Sequence, residues 1–104
     1  MEGLELISFK IISAVGEARS CYIEAIREAK KGNFEKADAL IEEGAKVFIE
    51  GHHAHSELVQ QEAAGNPVVP TLMLMHAEDQ LMSADGFKII AQEFIDVYKN
   101  SYSK

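Results

Sequence analysis

Both prolines of the chain, Pro67 and Pro70, fall in one segment, AAGNPVVP at residues 63–70, and long stretches with almost no turn chemistry lie on either side. Proline removes a backbone donor and halts a helix, so this segment reads as a connection between helices. A second, weaker break is KKGNF at residues 30–34, where Gly32 can take the left-handed conformation that ends a helix and Asn33 can cap the next. Two breaks leave three segments. In the first, Leu4, Ile7, Ile11, Ala14, Ala18, Cys21, Ala25 and Ala29 recur at steps of three and four, the period of a helix stripe. The second repeats the pattern with Phe34, Ala37, Ile41, Gly44, Phe48, Gly51, His55, Leu58 and Glu62, and the third with Met75, Asp79, Met82, Gly86, Ile89, Glu93, Phe94 and Val97. At the α-helical rise these come to roughly 40–47 Å each, matched well enough to lie side by side. The expected fold is all-α: an antiparallel up-down-up three-helix bundle, with residues 1–104 as a single domain.

Polar residues interrupt the stripes, notably His55 and Glu62 in the second and Asp79 in the third. Polar groups on a seam cost stability unless they find partners. Either they fix register or oligomeric state, or helices this long bury a second face against copies of themselves. Both readings point to an oligomer. A formal net charge of −7 supplies no basic stripe for nucleic acid or an anionic membrane. Cys21 stands alone, which excludes an intrachain disulfide and suits a reducing cytoplasm. The opening MEGLELISFK is acidic where a secretory signal would be basic, and no apolar run is long enough to span a bilayer.

The candidate chemistry lies in PTLMLMHAEDQLMSADG, residues 70–86, where His76, Asp79 and Gln80 sit within one helical turn. A lone helical histidine is ordinarily packing or solvated surface. Here small or unbranched neighbours, Met75 and Ala77, leave the ring accessible, and no Lys or Arg is close in sequence. A neutral imidazole is a competent nitrogen nucleophile, so the pattern suits a covalent carrier. The cluster EGHHAHSEL offers a rival: His52 and His55 are three apart, and Glu50 with His53 has a Glu-x-x-His spacing that can ligate metal. A di-iron bundle would need a second such segment, which the chain lacks. Solvated or hydrogen-bonded histidines are the plainer use. Glu24, Glu28, Lys36 and Glu43 read as a solvated face, Cys21 as core, and Met73, Met75 and Met82 as core.

These residues also carry a resemblance. The segments GEARS, EAIREAKKGNFEKADALIEE, HHAHSELVQQEA and above all LMLMHAEDQLMSA resemble the IIA component of the lactose/cellobiose (chitobiose) family of the phosphoenolpyruvate-dependent sugar phosphotransferase system, along nearly the whole chain. The resemblance implies a homotrimer of three-helix protomers, with His76 accepting a phosphoryl group from HPr and passing it to a cysteine of the IIB component. The membrane component IIC and IIB then govern the sugar, a β-disaccharide such as lactose, cellobiose or chitobiose. It further implies that Asp79 lies on the trimer axis, where three copies share a structural divalent cation, Mg²⁺ or similar. Candidate donors to the phosphoryl oxygens are Gln80 and the second-helix residues His52, His53 and His55. Two departures stand out. The position of Gln80 is commonly histidine in the family, and Asp85 with Gly86 replaces apolar helix formers. The alternative reading is a metal-binding helical bundle built on Glu50, His52, His53 and His55.

Overall fold

In the computed structural model, which describes residues 3–103, three helices follow one another: α1 (Gly3–Lys30), α2 (Phe34–Ala63) and α3 (Leu72–Tyr102). They form a rod of 56 × 24 × 20 Å. Both breaks fall where the turn residues put them. Gly32 has φ +85°, its N–H donates to Ala29 O, and the Asn33 N–H reaches back to Glu28 O, a left-handed helix stop. Gly65, at φ +92°, ends α2 in the same way, with Asn66 N–H donating to Gln61 O. Thr71 then caps α3, its Oγ1 accepting from Leu74 N–H at 3.0 Å.

α1 is the central element: it packs extensively against both other helices, whereas α2 and α3 meet over a short stretch. Its inward residues include the fully buried Ala18, Ala25 and Ala29, where the neighbours come close, between the larger Ile11, Val15 and Tyr22. On α2, Gly44 faces the Tyr22 ring and Cys21, while Gly51 faces Val15 and Ala14. A core cluster around Tyr22, Ile41, Ala91 and Ile95 holds one end of the rod, and a second around Ile11, Val15, Leu81 and Ala84 holds the other. The far end of α3 is fastened to the first turn: Tyr102 donates from its hydroxyl to Lys30 O at 2.8 Å and meets the Phe34 ring edge-on.

Four expectations need correction. The inward face of α3 is Leu74, Ala77, Leu81, Ala84, Ala91 and Ile95, while Met75, Asp79, Met82, Gly86, Ile89, Glu93, Phe94 and Val97 all lie exposed. α3 is apolar on two faces, and periodicity cannot choose which one meets α1. Met75 and Met82 are accordingly not core in this chain, being 55% and 68% exposed. Glu28 is buried rather than solvated: Asn33 Nδ2 donates to it at 3.1 Å, and Lys31 and Lys36 approach at 3.4 and 3.7 Å. Asn33 therefore stands at the N-terminus of α2 without capping it through its side chain, which is turned back onto Glu28.

The α1–α2 contact makes one stability prediction. A Cβ at Gly44 would lie 2.6 Å from Tyr22 Cε1 and 3.0 Å from Cys21 Cβ, in a layer with no room to yield. Gly44→Ala should cost about 1–3 kcal/mol in urea unfolding despite the better helix former. At Gly51 the nearest atom is the Val15 methyl at 3.0 Å, and Gly51→Ala should stay within about 1 kcal/mol of the parent. A Gly44→Ala protein as stable as its parent would contradict the Tyr22 packing.

Glu28 makes a second. The Asn33 hydrogen bond, with Lys31 and Lys36 adding their charge against the opposing effect of burial, holds its carboxyl below the ordinary value. Stability from this group is present above the unfolded carboxylate pKa and is lost as pH falls through the lowered folded one. In thermal melts the parent should exceed Glu28→Gln by several degrees at neutral pH, with the gap closing in acid. A gap independent of pH would rule out the charged form as its source.

Candidate functional site

His76 lies in the second turn of α3, on the flank that borders α1. Its side chain is exposed, and no hydrogen bond or ion pair holds it among the described residues. Ala77 beside it is fully buried, so the helix is anchored through its neighbour while the imidazole stays open to solvent. The other histidines are differently placed. His55 Nε2 meets Glu78 Oε2 at 2.8 Å, in a groove of about 310 Å³ lined also by Leu58, Val68 and Leu74. Glu78 is two residues beyond His76, about 200° around the helix, so His55 serves a different flank of α3. His53 pairs loosely with Glu57 at 3.6 Å, and His52 lies exposed near the Phe48 ring.

Gln80, one turn beyond His76 on the same flank, is half-buried against α1. Arg19 Nη1 donates to its Oε1 at 2.8 Å. Sequence reasoning found Gln80 and missed Arg19, which lies 61 residues away and comes to the site only because α1 and α3 pack together. Its only trace in the sequence is the segment GEARS. Asp79 points elsewhere, onto the outer stripe of α3 beside Met75 and Met82.

The rival cluster does not assemble. No group of three or more His, Cys, Asp or Glu residues is arranged to hold a metal among the described residues, so Glu50, His52, His53 and His55 do not form a metal centre within one chain. Cys21 is no nucleophile either: burial pushes its thiol above the ordinary value, and the carboxylates of Glu43 and Glu17 push it the same way.

Comparison with known proteins agrees with the fold. Residues 6–99 match the family model described as "PTS system, Lactose/Cellobiose specific IIA subunit". The chain is 38% identical over 98 residues to the lactose-specific EIIA component of Staphylococcus aureus (strain N315), covering 94% of this chain and 95% of that protein. The crystal structure of the cellobiose-specific enzyme IIA from Bacillus anthracis superposes with a TM-score of 0.95 at 38% identity, covering 100% of this chain and 96% of that one. The solution structure of the IIA(chitobiose)–HPr complex from the N,N'-diacetylchitobiose branch of the Escherichia coli phosphotransferase system superposes with a TM-score of 0.84 at 26% identity, covering 98% and 99%. No described helix is long and apolar enough to cross a membrane.

Proposed function

The chain belongs to the lactose/cellobiose-specific IIA family of the phosphotransferase system, and on that premise we propose that it is a cytoplasmic phosphoryl carrier whose acceptor is His76. One observation carries the assignment to this residue: His76 and His52 are both exposed and unengaged among the described residues, and of the two only His76 has the Arg19–Gln80 pair one helical turn away. The donor is phospho-HPr, in keeping with the HPr complex of the Escherichia coli relative. The acceptor is a cysteine of IIB, which serves the membrane component IIC.

The transfer needs little from the protein beyond position. A ring nitrogen of His76 in its neutral form attacks phosphorus in line as the P–N bond of the donor breaks and its electron pair returns to the donor imidazole. A PO₃⁻ unit moves, each ring keeps its own N–H, and no proton changes sides. The loose transition state asks for alignment and for hydrogen-bond donors to the equatorial oxygens. Passing the group to IIB repeats the step with a thiolate as nucleophile and His76 as leaving group. The relatives named above bear the names of three sugars, lactose, cellobiose and chitobiose, on one architecture. We assign a β-linked disaccharide, with the choice among them made by IIB and IIC. Support for His76 from His52, His53 or His55 would come from the α2 of a neighbouring subunit.

The outer stripe of α3 supplies the neighbour. Met75, Met82, Ile89, Ile90, Phe94 and Val97 leave a row of large apolar side chains about half or more exposed along α3, the kind of surface that marks an interface. Three chains meeting along it form the trimer, and Asp79 then lies among methionines on the axis. Three carboxylates brought together in an apolar environment repel one another, and their oxygens are the ligands a hard divalent cation such as Mg²⁺ takes. The cation would neutralise them and take no part in transfer.

Two outcomes test the reading. Incubation with phosphoenolpyruvate, enzyme I and HPr should add one phosphoryl group per wild-type chain in alkaline intact-mass spectra, and none to His76→Ala. Transfer to His76→Ala would move the acceptor elsewhere. In sedimentation, chelation should loosen the wild-type trimer, while Asp79→Leu should remain trimeric with or without metal. A monomeric Asp79→Leu would refute the axial placement.

A further inference from the structure

We propose that Arg19 binds the phosphoryl group carried by His76, with Gln80 holding the guanidinium in place and donating alongside it; this rests on His76 being the acceptor. Arginine in an acidic chain ordinarily finds a carboxylate, and this chain has a net charge of −7. Arg19 instead rests on a neutral amide. The positions three and four residues away on α1 are Val15, Gly16, Tyr22 and Ile23, and those around Gln80 on α3 are His76, Ala77, Ser83 and Ala84. None is acidic. Among the described residues no carboxylate pairs with Arg19, so its guanidinium lies at one edge of the site with no ion-pair partner there, and an incoming PO₃ group supplies the countercharge.

Arginine has five N–H donors and no acceptor, so the group of Gln80 that faces Nη1 must be its oxygen. The NH₂ is therefore turned away from Arg19, with two donors to offer. Residues four apart on a helix have Cβ atoms about 6 Å from each other, so that NH₂ and the other N–H groups of Arg19 lie within side-chain reach of a phosphoryl group on His76. Planar guanidinium matches phosphate oxygens two at a time, which a lysine ammonium does not. During transfer the N–P bonds break and form as described above; Arg19 and Gln80 only donate hydrogen bonds.

The decisive experiment compares wild type, Arg19→Gln, Arg19→Lys and Gln80→Leu, each checked by thermal melting for an intact bundle. Phosphorylation by phospho-HPr is followed by alkaline intact mass. After HPr is removed, the phosphoryl group is titrated by ³¹P NMR, a readout independent of docking. Arg19→Gln should slow phosphorylation by about 10–100-fold and make the phosphoryl group titrate at higher pH, because its dianion loses a cation. Arg19→Lys should recover part of the titration shift but less of the rate, and Gln80→Leu should lie between Arg19→Gln and wild type. An Arg19→Gln protein with the wild-type rate and the wild-type ³¹P titration overturns the role of Arg19 and leaves His76 as carrier. A wild-type chain that stays unphosphorylated while HPr is labelled in the same tube overturns the carrier reading, and Arg19 with it.

Discussion

The close approach of α1 to both of its neighbours organises the rest of the molecule. Alanines at 18, 25 and 29 alternate with Ile11, Val15 and Tyr22 on the inward face of α1, and Gly44 and Gly51 of α2 bring the other backbone down onto Tyr22 and Val15. A helix enclosed on two sides has little apolar surface to spare. α3, by contrast, uses mainly small residues and a few leucines inward and keeps Met82, Ile89, Phe94 and Val97 outward. The rotation that sends Ala77 and Leu81 into α1 leaves His76 on the rim of the contact, with Asp79 on the open face. The proposed carrier site and the proposed subunit face are therefore two sides of one helix, set by a single packing choice.

That choice is also where sequence reasoning met its limit. α1 and α2 were legible because each has one apolar stripe, and the breaks were legible because Gly32, Gly65 and the prolines have few other uses. α3 has two stripes of similar period. The one with the bulkier apolar residues, running through Met75, Met82, Ile89 and Phe94, reads as core when large hydrophobic residues are weighed, yet in the single chain it is surface. Burial of Glu28 escaped for a related reason. Its stripe is charged, and only the tight turn that brings Asn33 back over it makes a solvated position into a closed one. Local periodicity carries no record of such returns.

At the site, His76, Asp79 and Gln80 could be picked out because they lie within one turn, and the structure keeps His76 and Gln80 on one flank of α3 while turning Asp79 onto another. Arg19 could not be. Its relation to Gln80 spans two helices that are distant in sequence, and neither residue carries a spacing that points to the other. The helix-two histidines show the reverse error, since proximity in sequence suggested a cluster that the helix disperses, with His55 drawn to Glu78 and His53 to Glu57.

A reversible carrier must hold its group firmly enough to align it and loosely enough to give it up. A buried arginine–carboxylate pair beside His76 would cancel the positive potential on which an anion depends, and a rigid cage of cations would stabilise the phosphorylated state over both of its exchange partners. A guanidinium tethered to a neutral amide lies between these extremes. It retains its charge, gives up one of five donors and remains close enough to solvent for screening to soften its pull. Glutamine at position 80 adds a further property, because it cannot titrate. In the proposed site, the acceptor for Arg19 and the donor toward the phosphoryl group therefore keep the same identity at every pH.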